Sequence, residues 1–374
     1  TVLPFITYNT GTYNFNKFNY NNTIEFYNIF RDTPTLIHSK SQRKISSTLS
    51  TKKELINFGT KINYKKYFYN QYFDVEDKKI DNEYSGSNYF RSFPIIGVDL
   101  ETPFKFKKSK SELIYTPKIS LVISPGLSNS NKISNEDSSV NSYTIENNSS
   151  LNRFTGTDKL DNSKRINLSF SLNNNNFNSK IWQSYEFTNN SNYHYSQGNE
   201  KKLSDLLGEI NYKKNQYETG YSLRYDPHND FIKSQTLGLK YENNFGNFKA
   251  DYLDQKSKVD EIIVSDNETL NYEFSSKKIN NYSKISYIGL YDLIKNINTE
   301  SGLSYSYFDE CFGINIDFKR NSYSEKELKP QDILTIMFSF KNVGSYKSTN
   351  LAVSETDKQD IEWESISVKN ELFE

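Results

Sequence analysis

The chain has 374 residues, with 46 basic and 46 acidic side chains, so its formal net charge is zero and no basic field points to nucleic acid. Apolar residues make up only 35% and mean hydropathy is −0.78, poor for a large soluble core, yet 29 Tyr, 26 Phe and 2 Trp exclude the aromatic-poor composition of a disordered chain. No apolar run approaches the roughly 18–20 residues of a spanning helix.

Seventeen stretches alternate apolar and polar residues, and each is expected to be a strand with one greasy and one wet face. In chain order they are Val2–Asn9, Tyr13–Phe30, Ser41–Thr51, Ile56–Asn70, Pro94–Phe106, Glu112–Ser124, Arg165–Leu172, Ser179–Thr188 and Leu203–Tyr212. Then follow Tyr217–Asp226, Ile232–Asn243, Phe248–Gln255, Leu270–Ser276, Tyr282–Tyr291, Asn298–Phe308, Phe312–Arg320 and Asp332–Asn342. Phe312–Phe318 shows the pattern plainly: Phe312, Ile314, Ile316 and Phe318 stand against Gly313, Asn315 and Asp317.

The connections run short then long. Asn9–Thr12, Lys52–Leu55 and Lys107–Ser111 are expected to be short; Arg31–Lys40, Gln71–Phe93, Pro125–Lys164 and Lys256–Thr269 are expected to be long. Bacterial outer-membrane barrels have short periplasmic turns and long outer loops, and a soluble β-sandwich has no reason to keep that parity. The fold class expected is therefore all-β, a transmembrane antiparallel β-barrel. Its long loops face outward, and Asp332–Asn342 runs back to the periplasm. Val2–Asn9 also runs toward the periplasm, so at least one strand is expected before Thr1, and the chain reads as a mature or truncated piece. The Ser- and Asn-rich Pro125–Lys164 is either a solvated outer loop or one that folds into the lumen. The polar stretch 345–374 is expected to be a flexible tail.

Catalytic chemistry is not visible. His38, His194 and His228 share no metal-ligand spacing, and Asp309 and Glu310 beside Cys311 read as charged turn residues. There is no nucleophile elbow, phosphate loop or calcium loop, so no enzyme activity, metal or cofactor is expected. Tyr and Phe are assigned mainly to lipid-facing or girdle places, Trp182 among them. Cys311, the sole cysteine, is either a free thiol or bonded to a segment outside this chain.

Two segments carry a resemblance. Thr116–Phe170 contains TPKISLVISP, then NEDS at Asn135–Ser138, then the Asn-Arg-Phe-x-Gly-x-Asp stretch Asn152–Asp158. Ser304–Gly344 contains SYSYFDECFGINIDFKRN and ends in FKNVG. In this order they resemble the barrel domain of the LptD family of lipopolysaccharide-assembly proteins, closest to its alphaproteobacterial branch, over roughly residues 1–344.

The resemblance implies a twenty-six-stranded barrel, of which this chain would supply the C-terminal portion at residues 1–344. It implies transport of lipopolysaccharide and its insertion into the outer leaflet, with sugars in the lumen and lipid leaving between the first and last strands. The last strand would be Asp332–Asn342. Leu334, Ile336, Phe338 and Phe340 would face lipid; Thr335, Met337, Ser339 and Lys341 would face the lumen. Cys311 matches the family's late-barrel cysteine, which pairs with the periplasmic jellyroll; the family often has two adjacent cysteines, and here the neighbours are Glu310 and Phe312. The implied partners are lipopolysaccharide, an LptE-like plug lipoprotein, an LptA-like periplasmic bridge and the outer-membrane bilayer. The competing readings are another outer-membrane barrel, a porin or substrate-specific channel, and a β-sandwich binding protein.

Overall fold

A computed structural model of the chain describes residues 2–35, 38–80, 83–108, 111–139, 141–188, 202–259, 262–277, 279–322, 331–341, 344–348, 351–352 and 363–366. The fold is all-β, and every paired register is antiparallel. All seventeen expected strands are present. The described residues add β6 (Phe104–Lys108), split from the end of β5, and three short C-terminal strands. No helix among them is long and apolar enough to cross a membrane. The chain divides into two compact units, Thr1–Gly208 with Tyr225–Phe231, and Glu209–Arg224 with Ile232–Glu374.

The first unit begins as a hairpin of β1 (Val2–Phe15) and β2 (Phe18–Phe30). Its turn is not at Asn9–Thr12. Gly11 has φ +76 at a register shift, so the polar stretch is a bulge within a continuing strand. The chain turns instead at Asn16–Lys17, both with positive φ, the backbone that matches strand twist in a two-residue hairpin. The same correction applies to β3 (Ser41–Asn57) and β4 (Thr60–Ile80): they turn at Phe58–Gly59, with φ +49 and +77, and Lys52–Leu55 stays in the ladder.

The expected long loop Gln71–Phe93 is also strand. β4 continues to Ile80 and β5 (Glu83–Glu101) returns beside it, with a bulge at Val75–Lys78. Charged residues at the tip do not end a ladder whose backbone groups remain paired. The first unit continues through β7 (Ser111–Ile123), β8 (Lys164–Asn173) and β9 (Phe177–Glu186), and reaches the start of β10 (Leu206–Lys214). The one helix among its described residues, α1 (Ile145–Ser149), lies in the connection between β7 and β8 and is capped by Thr144.

In this unit the outward face carries exposed Ile45, Leu49, Tyr72, Phe90, Leu168, Phe170, Ile181 and Tyr185. The opposite face carries Gln42, Lys44, Ser46, Gln71, Arg91, Asp99, Arg165 and Asn167, all buried. Greasy outside and polar inside is the reverse of a soluble protein, and it is what strands in lipid require.

In the second unit the strands run from β11 (Tyr217–Asp226) and β12 (Phe231–Glu242) to β13 (Gly246–Val259), β14 (Ile262–Ser276), β15 (Ser283–Asp292), β16 (Ile297–Phe308), β17 (Phe312–Asn321) and β18 (Gln331–Phe340). The expected long connection Lys256–Thr269 is likewise largely strand, in the paired ends of β13 and β14. After β18 come β19 (Gly344–Ser348), β20 (Leu351–Ala352) and β21 (Trp363–Ile366). β19 and β20 pair with β18, and β21 pairs with β19.

Candidate functional site

The connection 124–163 decides what the polar face of the first unit looks like. Of the two placements its sequence left open, it takes the inward one: Ile133, Ile145, Leu151, Phe154 and Leu160 are buried. Leu151 and Leu160 pack with Tyr69, Phe93, Ile95 and Val122 on the strands, and Ile133 packs with Phe73 and Val75.

Two short segments of the loop clasp each other. Asp137 Oδ1 accepts from Asp158 N at 2.8 Å and from Thr157 N at 3.1 Å. Asp158 Oδ2 accepts from Glu136 N at 2.8 Å and from Asp137 N at 3.2 Å. Gly156 between them has φ +57, and a Cβ there would lie 2.3 Å from the Asp137 carbonyl oxygen, so only glycine fits.

The clasp is then pinned to the strands. Lys44 on β3 donates to Asp137 Oδ2 and Asp158 Oδ1, both at 2.7 Å, and to Thr157 Oγ1 at 2.6 Å. Tyr27 on β2 donates to both Asp158 carboxylate oxygens at 3.0 Å. Arg91 on β5 donates to the carbonyls of Thr157 and Asp158 at 2.8 and 3.0 Å, and to Gln71 Oε1. Gln42 donates to Ser134 O and accepts from Ser134 N. Arg31 grips Glu136 with both terminal nitrogens.

A second cluster holds the far end of the loop. Arg153 Nε donates to Asp161 Oδ2 at 2.6 Å and Nη2 reaches Glu186 Oε2 at 3.3 Å; Arg165 Nη1 donates to Asp161 Oδ2 at 3.0 Å. Each cluster balances its charges, which is the condition for burying them without a large desolvation loss. Burial works to raise the Asp137 carboxyl, but Lys44 and the hydrogen bonds it accepts outweigh that and hold it below the usual carboxylate range. The more deeply buried Asp158 is pushed above that range, first by burial and against the pull of Lys44, with the Asp137 charge adding to the rise.

Trp182 is not a girdle residue. It is 1% exposed and packs with Ile145 of α1 and Leu207. It shares strand parity with Ser184 and Glu186, while Ile181 and Tyr185 take the outward places. Beside α1, the same face holds a cavity of about 480 Å³ lined by Lys65, Lys118, Lys180, Glu101, Glu146 and Ser169 among others.

The residues singled out near the C-terminus lie in the second unit. Cys311 is exposed in the turn between β16 and β17. Asp309 shapes that turn by accepting from Cys311 N at 2.9 Å and Phe312 N at 2.7 Å, and these bonds hold its carboxyl below the usual range. It acts as the turn residue the sequence suggests. On β18, the register sets Leu334, Ile336, Phe338 and Phe340 opposite Phe318, Ile316, Ile314 and Phe312 on one face. Thr335, Met337 and Ser339 alternate with them, opposite Asp317, Asn315 and Gly313. Lys341 follows the strand, its N–H bonded to the Cys311 carbonyl. The apolar stripe ends at an Arg320–Asp332 pair, two bonds of 2.7 Å. The other edge of β18 is met by β19 and β20.

His38 lies 3.6 Å from Glu136 and His228 bonds the Leu203 carbonyl, whereas His194 lies outside the described residues. Among the described residues, no group of acidic, histidine or cysteine side chains is placed to hold a metal. The sequence reading did not mark Lys44, Arg91, Asp161, Arg165 or Glu186, and marked Arg153 only within the Asn152–Asp158 likeness. For Lys44 and Arg165 the signal available was a long basic side chain at an inward position of an otherwise polar strand face.

Comparison with known proteins follows from this geometry. The family model described as "LptD: LPS transport system D" matches residues 1–305, which include the clasp and both charge clusters; Cys311 and β18 lie beyond the match. Among solved structures the chain is similar to a five-substitution variant of Rh. blastica porin, at 8% identity, covering 81% of this chain and 94% of that one with a TM-score of 0.31. It is similar also to a triple mutant of the Rhodopseudomonas blastica porin, at 8% identity, with the same coverages and a TM-score of 0.30. No curated protein gives a significant match. With more than three quarters of its length matched by one family model and its strands greasy outside and polar inside, the chain belongs to the LptD family of lipopolysaccharide transport proteins.

Proposed function

We propose that this chain is the C-terminal portion, residues 1–344, of a barrel that assembles lipopolysaccharide in the outer membrane of a Gram-negative bacterium. The observation that carries the reading is the family match over residues 1–305. Lipopolysaccharide would enter the outer leaflet through the lumen and a lateral opening at the edge of β18, the last strand of the family's barrel. Leu334, Ile336, Phe338 and Phe340 would meet lipid there, and Thr335, Met337, Ser339 and Lys341 would meet the lumen. The physical requirement is weak pairing at one seam, because unpaired backbone groups in lipid cost several kcal/mol each. An LptE-like lipoprotein would fill the lumen, and an LptA-like bridge would deliver the glycolipid. Cys311 would bond a cysteine outside this chain and fix the barrel against its periplasmic domain.

The test is depletion of the full-length protein in its own bacterium, followed by labelling of newly made lipopolysaccharide at the cell surface. Surface arrival should stop within a few generations; undiminished arrival sinks the reading. The Cys311 claim has its own test, reducing against non-reducing gel mobility of wild type beside Cys311→Ser. A shift that vanishes in the variant supports the bond, and free alkylation of Cys311 removes it.

A further inference from the structure

The loop 124–163 brings acid to a basic surface. Beneath it the strands present Lys44 and Arg91, with Tyr27, Gln42 and Gln71 around them, and all five are buried. Lys44 Nζ and the Arg91 guanidinium both lie over the Phe73 ring, 5.8 and 5.5 Å from its centroid. Both also reach the same two loop residues, Thr157 and Asp158. The loop supplies the compensating charge through Asp137 and Asp158. From the strands, Lys44 and Tyr27 hold the Asp158 carboxylate, Arg91 and Gln71 meet the backbone carbonyls beside it, and Gln42 donates to the Tyr27 hydroxyl. That is a donor set for a compact anion: a point charge, a planar fork and neutral hydrogen-bond donors.

We propose that these strand residues form an anion site, that the Asp158 carboxylate occupies it as the chain's own stand-in ligand, and that a sugar-linked phosphate displaces it when the loop lifts. The identification of that phosphate with one on lipopolysaccharide rests on the transport reading; the site itself does not. The carboxylate engages only Lys44 and Tyr27 of this set, while Arg91 is left to the neighbouring carbonyls; a phosphate brings a third acceptor oxygen for the Arg91 fork. The loop is therefore a competitor that a phosphorylated saccharide is able to outbid once tethered nearby, and an uncharged saccharide is not. Its attachment through charge-balanced clusters suits this role. Losing Asp158 leaves the cations needing a new counter-charge, so release of the loop and capture of an anion are one exchange.

The experiment uses the full-length protein in detergent micelles, with glucose 1-phosphate, inorganic phosphate and glucose as probes at matched ionic strength. The readout is the rate of tryptic cleavage at Lys159, beside the clasp. Glucose 1-phosphate should raise that rate several-fold and glucose should not. In Asp158→Asn the apparent affinity for glucose 1-phosphate should rise about tenfold, because the competitor has lost its charge. Arg91→Gln should abolish the response, and Gln71→Leu, which removes a neutral group at the same place, should weaken it without abolishing it. A response to inorganic phosphate as strong as that to glucose 1-phosphate supports the anion site and assigns it to free phosphate. Equal effects of glucose and glucose 1-phosphate overturn the proposal, as does a response that survives in Arg91→Gln. No lipid enters the assay, so its failure leaves lipopolysaccharide transport standing, and failure of the surface-labelling test leaves the anion site standing.

Discussion

Asp137 and Asp158 each accept a hydrogen bond from the other's backbone: Asp158 N donates to Asp137 Oδ1 at 2.8 Å, and Asp137 N donates to Asp158 Oδ2 at 3.2 Å. Two loop segments about twenty residues apart are thereby locked as one body, and Lys44 bonds both carboxylates from the strand beneath.

Breaking that arrangement on one side should cost more than removing it. Lys44→Met strands the buried Asp158, and takes from the more exposed Asp137 the ammonium that bonds both, so a loss of about 3–5 kcal/mol is expected. The double variant Lys44→Met with Asp158→Asn should recover a large part of it, because charge and counter-charge leave together. Denaturant unfolding of the refolded protein in micelles checks both; additive losses would contradict the pairing.

Gly156→Ala tests the clasp without touching a charge. The residue needs φ +57, and the new Cβ would collide with the Asp137 carbonyl. A loss of roughly 1–3 kcal/mol is expected from backbone strain of this kind, with faster proteolysis of residues 135–160. Gly126→Ala is the control for backbone alone: its φ is +87 and nothing lies within 4 Å of its Cβ.

The pH response follows from the two carboxyls moving in opposite directions. Asp137 has its folded value depressed, so its contribution is present above the ordinary carboxylate value of about 3.9 and is lost as pH falls through the folded value. Asp158 has its folded value raised, so its contribution is complete below the ordinary value and fades as pH rises through the folded one. Loop docking should therefore be tightest near the ordinary carboxylate value of about 3.9, between the two folded ones, and weaken on both sides. Trp182, packed against Ile145 of the loop, reports it by fluorescence in a Trp363→Phe background. A profile that rises or falls in one direction only would refute the assignment.

The two faces of β18 make a further prediction. Phe338→Lys places a charge on the apolar stripe and should destabilise the inserted protein by about 2–4 kcal/mol if it lies near the midplane. Thr335→Lys, on the alternate face opposite Asp317, should be tolerated. Equal losses would mean that the stripe does not meet lipid.

What the sequence disclosed follows from the range of the forces involved. Period-two alternation is local, so every expected strand is found, and Phe312–Phe318 folds as read. Turns were misplaced where polar composition was taken for a break: Gly11 marks a bulge, and the real turn falls at Asn16–Lys17, whose positive φ no composition announces. The loop's anchorage was illegible for a different reason. Lys44 and Asp158 are 114 residues apart, and nothing local ties them. The Asn135–Ser138 and Asn152–Asp158 stretches stood out only as a family likeness, and the structure supplies their reason: they bind each other. Trp182 was misread because tryptophan usually marks an interface, although its parity with Ser184 and Glu186 pointed inward.

The length of β4 has a consequence for how the first unit is solvated. It has 21 residues, while a bilayer crossing uses about 9–11. On the outward face, Arg43 and Asp74 form an ion pair at 3.2 Å, as Arg320 and Asp332 do in the second unit, and such a pair belongs where hydrocarbon gives way to water. The strand ends beyond Asp74 thus stand in water, yet Val75 there is buried with Phe73 and Ile133. One hairpin is held by two media: its lower part by a largely apolar outward face in lipid, its upper part by the ordinary burial of oil from water. Urea, which acts through water, should loosen the crown of this hairpin while leaving its root in the membrane intact.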